Sequence, residues 1–360
     1  MEWKIQRVGE VMNYFVYIKD LVGVKTNLES LSWVYGSVAP KADKEDYERC
    51  KIRVDLKVAR TEDVFEDSFD LDDFDRYNYF YAQKDEKKIY YERTFLFNSR
   101  LRYSVEIVDD NLINVVVNKN YFKYIRYKFM NLHSLGYILT DLVSGLLLNM
   151  GYATLHCSAV QVEDKTLVIF GPPSTGKTIT AIRLCETAAA KFISEDIALT
   201  DGKDIYSVPW TSTFRFYDHE KETRSEKMTA SLMKKLPIFQ LMGGKNRKAI
   251  DSYIDEDLII DQSPITDIVV LGKGEEGVVF DSSDIYEDII NLNRYEFNYD
   301  KSPTMLVMNY FNKSISLEDM NAREKEIVRT LVDSCHSYRV FSNSALDYES
   351  ILREEALYLE

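Results

Sequence analysis

The sequence has few cysteines, and they do not pair at short spacing. Its 360 residues include four of them, Cys50, Cys157, Cys185 and Cys335, which lie far apart along the chain. Zinc sites and disulfide-rich small domains both need closely spaced cysteines. The sequence therefore predicts neither, and a reducing, cytoplasmic environment fits it best.

Positive charge is also scarce. Lysine and arginine total 45 against 59 aspartates and glutamates, which gives a net charge of -14. Nucleic-acid binding needs a concentrated positive field, so no nucleic-acid partner is expected. One short basic loop, residues 245–248, is open to two interpretations. A solvated loop is favoured over a segment that closes on phosphate or substrate.

Long apolar runs are absent as well. The most apolar stretch, residues 136–150, is interrupted by Asp141 and is shorter than the roughly 20 residues that a membrane span needs. The amino terminus has no apolar run followed by small residues, so no secretory signal and no membrane association are expected. The motifs of dinucleotide-binding dehydrogenases and of hydrolases with a nucleophile elbow are missing too.

The order of predicted elements divides the chain near residue 130. Strand-like segments precede this point. The segment 51–60 predicts a half-buried strand, and three later segments together predict an antiparallel meander: 88–97, 103–108 and 112–117. A leucine-rich helix is predicted over 131–149, and short strands alternate with helices after it. Ser316 is predicted to cap a later helix that ends near Ser334. We predict an α/β protein, α+β overall, with a β-rich domain at 1–130 and an α/β domain at 131–360.

The strongest motif is Gly-Pro-Pro-Ser-Thr-Gly-Lys-Thr at residues 171–178, which matches the phosphate-binding pattern Gly-x-x-x-x-Gly-Lys-Ser/Thr. A strand-like run precedes it and a helix-like run follows, as the pattern requires. The glycines let backbone amides point at phosphate oxygens, and the helix N-terminus adds partial positive charge. The motif predicts ATP binding, with GTP left open, by these residues: Gly171, Ser174, Thr175, Gly176, Lys177 and Thr178.

Acidic residues for the chemistry are expected soon after the helix that follows this loop. Lys177 would neutralise the β- and γ-phosphates, and the Thr178 hydroxyl would face Mg²⁺. Glu195 and Asp196 follow a short apolar run whose carboxyl end, in a parallel sheet, would meet the same crevice. One carboxylate could hold Mg²⁺ while the other accepts a proton from an acceptor hydroxyl. A pair of acids without a chemical role is equally favoured by the spacing.

Three segments in this order resemble the catalytic domain of HPr kinase/phosphorylase and its relatives. They are Leu-His-Cys-Ser-Ala-Val at 155–160, the loop at 171–178 and Ser-Glu-Asp at 194–196, and the resemblance covers residues 131–356. It implies a nucleotide fold like that of phosphoenolpyruvate carboxykinase. By resemblance, Glu195 is the catalytic base, Asp196 is associated with the metal, and His156 assists proton handling. Arg215 would steady phosphate or acceptor, with an ordinary surface arginine as the alternative.

Departures from the family pattern narrow the expected substrate. Glu195 replaces the usual first aspartate, and Cys157 stands where the bifunctional enzymes have glycine. Residues 1–130 do not resemble the amino-terminal domain of those enzymes, so HPr is not the expected acceptor. The layout is more similar to relatives that phosphorylate serine in ribosomal precursor peptides, including lasso peptides. Related kinases often form homo-oligomers, and assembly is expected here on that resemblance alone.

A segment of six acidic residues interleaved with aromatics, 66–75, is either a solvated loop, which is favoured, or a docking site for a basic peptide. The sequence as a whole favours an ATP- and Mg²⁺-dependent kinase acting on a serine hydroxyl of a peptide or protein. The alternatives are a small-molecule or carbohydrate kinase and a non-catalytic, nucleotide-dependent regulatory protein. The glutamate at position 195 motivates the last of these.

Overall fold

A computed structural model gives the chain a mixed α/β fold. It describes residues 11–31, 33–36, 39–60, 65, 74–82, 87–95, 98–109, 111–125, 133–210, 254–280, 284–312 and 315–356. Within these residues the strands form three sheets with helices packed against them. The predicted class, α/β and α+β overall, is confirmed.

The first sheet has nine strands in the order β3-β1-β2-β4-β9-β8-β7-β6-β5. They are β1 (Asn13–Ile18), β2 (Val22–Thr26), β3 (Lys41–Ala42), β4 (Ile52–Ala59), β5 (Asp75–Tyr77), β6 (Phe80–Ala82), β7 (Lys88–Thr94), β8 (Arg100–Ile107) and β9 (Leu112–Asn118). Strands β7 to β9 form an antiparallel meander as predicted, and β6 and β5 extend it, whereas β4 pairs in parallel with both β2 and β9. The strand predicted at 51–60 is present as β4, outside the meander, and it runs in the same direction as β9 beside it.

Ten further strands form the other two sheets. They are β10 (Ala153–Leu155), β11 (Ser158–Val162), β12 (Lys165–Phe170), β13 (Lys191–Ser194), β14 (Ala198–Thr200), β15 (Asp204–Tyr206), β16 (Gln262–Pro264), β17 (Asp267–Gly272), β18 (Gly277–Val279) and β19 (His336–Phe341). One sheet is the antiparallel set β10-β14-β15-β16, and the other has the order β13-β11-β12-β17-β19-β18. The second of these carries the phosphate-binding motif at the end of β12.

The six-stranded sheet is mixed rather than parallel. Strand β11 runs antiparallel to both of its neighbours, β12 and β13, so those two run in the same direction. Strands β17 and β19 share that direction through parallel pairing, and β18 closes the edge antiparallel to β19. The carboxyl ends of β12, β13, β17 and β19 therefore lie at one edge of the sheet.

The helices have bounds close to those that the sequence predicts where a prediction exists. They are α1 (Lys44–Arg49), α2 (Lys119–Tyr124), α3 (Leu135–Asn149), α4 (Lys177–Thr187), α5 (Ile285–Glu296), α6 (Pro303–Phe311), α7 (Leu317–Ser334) and α8 (Tyr348–Ile351). Helix α7 begins as predicted, since the Ser316 hydroxyl accepts a hydrogen bond from the Asp319 amide at 3.1 Å. Helix α8 is shorter than predicted and continues as one π-helical turn, Leu352–Ala356.

Helices cover both faces of the six-stranded sheet. Alternate side chains of β12 point to opposite faces, so Leu167 and Ile169 pack with α4, whereas Val168 and Phe170 pack with α5 and α7. The largest hydrophobic cluster joins the nine-stranded sheet to α3, α6 and α7. This cluster contains side chains from both sides of residue 130, and the domain division there stays a prediction. None of the helices in the described ranges is long and apolar enough to span a bilayer.

Candidate active site

The phosphate-binding motif forms a tight loop between β12 and α4. Ser174 has a φ of 64° and Gly176 a φ of 120°, so the backbone turns sharply just before the helix begins. A Cβ atom on Gly171 would lie 2.7 Å from the Thr175 hydroxyl and 3.2 Å from the Leu271 carbonyl. Glycine is therefore required at both ends of the loop, as the motif predicts.

The Lys177 side chain reaches back to the first residue of the loop. Lys177 is the first residue of α4, it is 7% exposed, and its ammonium group donates to the Gly171 carbonyl at 2.8 Å. Burial lowers the pKa of Lys177. The Thr175 hydroxyl donates to the Pro172 carbonyl at 2.7 Å and so holds the loop closed on itself. A cation at the start of a helix, beside several backbone amides, is an arrangement suited to phosphate.

Thr178 is joined to the first of the two predicted acids. Its hydroxyl donates to Glu195 Oε1 at 3.0 Å. Glu195 is 1% exposed and follows directly after β13. The contact forms because β13 and β12 run in the same direction, although β11 lies between them. The prediction of a parallel sheet was wrong, because β11 is antiparallel to its neighbours. The carboxyl ends of β12 and β13 nevertheless lie at the same edge of the sheet, as predicted.

Asp196 lies next to His156 in the same crevice. The distance from His156 Nδ1 to Asp196 Oδ1 is 3.5 Å, and the Asp196 side chain is 30% exposed. Burial first, and then the charge of Lys177, lower the pKa of His156 to about 4, so the imidazole is neutral near pH 7. Burial raises the pKa of Asp196, and the charge of Lys177 opposes that shift.

Two residues that the sequence reasoning missed complete the site, and both belong to α5. Asn293 is fully buried and accepts a hydrogen bond from the His156 amide at 2.9 Å, while its side-chain amide donates to the Thr154 carbonyl at 2.9 Å. Partial burial, and then the charge of Asp196, raise the pKa of Glu296, and the charge of Lys177 opposes this. No local motif marks either residue, because α5 lies far along the sequence from His156 and Asp196.

A hydrogen-bonded group of buried polar side chains fixes this part of α5. Glu324 of α7 accepts from Asn293 at 3.3 Å and from the Tyr299 hydroxyl at 2.9 Å. Burial raises the pKa of Glu324, and these two hydrogen bonds counteract the shift. The group ties two helices to the segment that carries His156.

Several predicted elements of the site are not placed by the structure. Arg215, the basic loop 245–248 and residues 66–73 of the acidic segment lie outside the described residues. His133 lies 3.8 Å from Asp141, and His336 is exposed, 4.0 Å from Asp267. Their neighbouring carboxylates, Asp141 and Asp267, are not residues of the predicted site.

The donor set beside the loop suits a magnesium ion. Thr178, Glu195 and Asp196 offer hydroxyl and carboxylate oxygens, the ligands that Mg²⁺ prefers. Among the described residues, no group of three or more histidines, cysteines, aspartates or glutamates is arranged to hold a metal ion by itself. Mg²⁺ in kinase sites takes one or two carboxylates and completes its shell with phosphate oxygens and water. The residues present fit that mode of binding.

Comparisons with known proteins give little similarity. No protein-family model matches the chain, and no curated protein does. Among solved structures, 38 chains match, one of them the Hpr(Ser) kinase/phosphatase from Coxiella burnetii. It is 11% identical with a TM-score of 0.22, over 33% of this chain and 65% of that chain, slightly less than two thirds of its length. A similarity of this size carries no argument about function.

Proposed function

We propose that the chain is an ATP-dependent phosphotransferase that transfers the γ-phosphate to a hydroxyl group, with serine of a peptide or protein as the acceptor. The observation that carries the proposal is the hydrogen bond of 3.0 Å between Thr178 in the phosphate loop and the Glu195 carboxylate. The bond joins the carboxylate that directly follows β13 to Thr178, the loop residue whose hydroxyl faces Mg²⁺ in proteins with this motif. A segment that matched the phosphate-binding pattern only by chance would not be expected to make this contact.

The site residues have complementary parts in the proposed reaction. Lys177 and the amides at the start of α4 bind the phosphates and balance their charge. Thr178 with a neighbouring carboxylate would hold Mg²⁺, which would supply further charge neutralisation at the β- and γ-phosphates. The remaining carboxylate would accept the hydroxyl proton, with neutral His156 beside it. By the family resemblance, Glu195 would accept the proton and Asp196 would be associated with the metal.

The proposed acceptor is argued from the sequence. A serine peptide follows from the resemblance in the sequence and from the acidic segment 66–75, which would suit a basic peptide. A small-molecule or carbohydrate acceptor remains an alternative that the site chemistry does not distinguish. A nucleotide-dependent regulatory protein is favoured by one observation, the 1% exposure of Glu195, because a buried acid cannot meet an acceptor.

Transfer of labelled phosphate tests the proposal. The protein is incubated with Mg²⁺, γ-labelled ATP and host extract separated into peptide, protein and metabolite fractions, with Lys177→Ala in parallel. The proposal expects label in a peptide or protein with the wild type only. Label in a metabolite would select the small-molecule kinase. Tight nucleotide binding with no labelled fraction would favour the regulatory protein and end the kinase assignment.

A further inference from the structure

We infer that Asp196 is the residue that accepts the acceptor's proton and that Glu195 is the carboxylate on the metal side, the reverse of the assignment that the family resemblance implies. This inference rests on the proposed phosphotransferase function and names the division of labour within the same site. Three independent features of the crevice carry it. They are the partners, the accessibility and the backbone conformation of the two adjacent acids.

The partners differ in kind. Glu195 Oε1 accepts from the Thr178 hydroxyl at 3.0 Å, and Thr178 directly follows the lysine that starts α4. A hydroxyl and a carboxylate joined in this way present oxygens to one point beside the phosphates. Asp196 is directed instead to the Nδ1 atom of His156 at 3.5 Å. His156 is buried, and it lies beside Asp196 as Thr178 lies beside Glu195, so the two acids have different neighbours.

Accessibility separates the two acids more sharply. Glu195 is 1% exposed, whereas 30% of the Asp196 side chain is exposed. A general base must come within hydrogen-bond reach of the hydroxyl that it deprotonates. An acceptor that arrives from solvent can approach Asp196, whereas the buried Glu195 is closed to it. Burial next to the phosphate loop is instead suited to a residue that stays in place throughout the reaction.

The backbone at Asp196 is held in a conformation that is rare for an aspartate. Its φ is 65°, and the Ile197 amide donates to the Glu195 carbonyl at 2.7 Å across it. A positive φ under a hydrogen bond that spans three residues is characteristic of the uncommon, strained form of the γ-turn. Such strain persists where the surrounding structure imposes it, and it is concentrated at active sites. At this turn the two consecutive side chains that follow β13 have different neighbours: Glu195 contacts Thr178, and Asp196 lies beside His156.

The reaction then balances as follows. The acceptor oxygen forms a bond to the γ-phosphorus while the bond from that phosphorus to the β,γ-bridging oxygen breaks. The hydroxyl proton passes to the Asp196 carboxylate and from there to solvent, to which this side chain is open. The products are ADP and the phosphate ester of the acceptor. Glu195 and Thr178 take no proton in this reaction.

The test measures metal dependence of nucleotide binding separately from transfer. Binding of a fluorescent ATP analogue is titrated with Mg²⁺ in the wild type, Glu195→Gln, Asp196→Asn, Thr178→Ala and the control Glu186→Gln, an exposed acid on α4. Asparagine is chosen at position 196 because it tolerates a positive φ. Glu195→Gln and Thr178→Ala are each expected to raise the Mg²⁺ requirement about tenfold, since loss of a metal-side group has that effect. Asp196→Asn removes a nearby negative charge but no metal-side group, so it is expected to raise the requirement less than Glu195→Gln does, and the control should leave it unchanged.

The same variants are compared in single-turnover transfer from γ-labelled ATP to the fraction that the wild type labels. Asp196→Asn is expected to slow transfer by about 100-fold or more, the loss typical of a general base. A double variant, Thr178→Ala with Glu195→Gln, should raise the Mg²⁺ requirement by a factor that differs from the product of the two single effects, because both groups are in contact and act on one metal site. Additive effects of the pair would contradict a shared site. Nucleotide binding without Mg²⁺ checks that each variant is folded.

The inference is overturned if Asp196→Asn raises the Mg²⁺ requirement as much as Glu195→Gln does, or if Glu195→Gln leaves it unchanged. It is also overturned if Glu195→Gln slows transfer at saturating Mg²⁺ as much as Asp196→Asn does. The proposed function fails in a different way, namely if the wild type binds Mg²⁺ and nucleotide but phosphorylates no acceptor. The Mg²⁺ titrations use no acceptor and can therefore be interpreted in either case.

Discussion

At the scale of single residues, His156 makes the stability of the protein depend on pH. Burial and the charge of Lys177 lower the pKa of His156 from its usual 6.5 to about 4. A base with a lowered folded-state pKa contributes stability that is complete above its unfolded pKa and is lost as the pH falls through the folded value. The full effect is about 3 kcal/mol, since one pKa unit corresponds to about 1.4 kcal/mol.

This effect can be measured by urea unfolding at pH 7 and pH 4.5 in the wild type and in His156→Gln. Because glutamine does not titrate, we expect the wild type to lose up to about 3 kcal/mol more than the variant over this interval. Carboxylates that do not contact His156 change stability equally in both proteins and cancel in the comparison. Equal losses in the two proteins would show that His156 is not held neutral by its surroundings.

The sequence could predict only part of the site at this scale. The loop residues and the pair Glu195 and Asp196 are visible because each group is contiguous and its pattern has a physical reason. Asn293 and Glu296 are not visible, because a helix 137 residues after His156 brings Asn293 to its amide. Which of the two acids faces Thr178 was also beyond prediction, since it depends on the turn at Asp196.

At the scale of secondary structure, the junction between the phosphate loop and α4 depends on Gly176. Its φ is 120°, and a Cβ atom there would lie 2.9 Å from the Ala345 Cβ and 3.2 Å from the Ala345 carbonyl. Gly151 also has a positive φ, 86°, but a Cβ atom there would meet no atom within 4 Å. The two glycines therefore separate backbone strain from steric overlap.

We expect Gly151→Ala to lower the free energy of unfolding by about 1 kcal/mol, the usual cost of alanine at positive φ. Gly176→Ala should lower it by about 2–3 kcal/mol and should weaken nucleotide binding, because the overlap adds to the strain and displaces the loop. Denaturant unfolding and nucleotide titration measure the two quantities. Equal destabilisation by both variants, with unchanged nucleotide affinity, would contradict this account of the junction.

The start of α7 offers a second test at this scale. Ser316 caps the helix through its hydrogen bond with the Asp319 amide, whereas Ser134 precedes α3 without a side-chain capping bond. Ser316→Ala is expected to cost about 1 kcal/mol, the usual contribution of an N-cap. Ser134→Ala is the matched control and should change stability by less than about 0.5 kcal/mol. Thermal unfolding compares the two, and a larger loss for Ser134→Ala would be inconsistent with the capping geometry.

Elements with strong local patterns were predictable, and those defined by distant pairing were not. The helix from Ser316 and the strand, loop and helix around residues 165–187 follow from spacing and motif alone. The antiparallel placement of β11 between β12 and β13 does not, because β11 and β12 form a hairpin whereas β13 returns only after α4. Strand pairings of this kind are decided by packing across the sheet rather than by local preference.

At the scale of the whole molecule, the net charge of -14 predicts how salt affects a basic acceptor. Attraction between an acidic protein and a basic peptide is screened as the ionic strength rises. If the acceptor is a basic serine peptide, KM should rise severalfold between about 0.05 M and 0.5 M salt, with a smaller change in kcat. Kinetics with two serine peptides, flanked by lysines or by glutamates, would measure this. A KM for the lysine peptide that does not depend on salt would exclude electrostatic recognition.

The architecture as a whole was predictable in class but not in connectivity. Alternating strands and helices after residue 150 indicated the α/β class correctly. The parallel association of β2, β4 and β9 and the shared core of the first sheet with α3, α6 and α7 could not be read from the sequence. These contacts join segments that are far apart along the chain, and no local pattern specifies them.

The measurement that most directly tests the central claim is calorimetric titration of the protein with ATP and Mg²⁺. It compares the wild type, Lys177→Ala and Lys191→Ala, the last an exposed lysine at the start of β13. The account predicts one ATP per chain in the wild type and in Lys191→Ala. Lys177→Ala should bind at least about tenfold more weakly, because it loses a charged hydrogen bond to phosphate. Absence of ATP binding, or equal binding by all three proteins, would contradict a nucleotide site at residues 171–178.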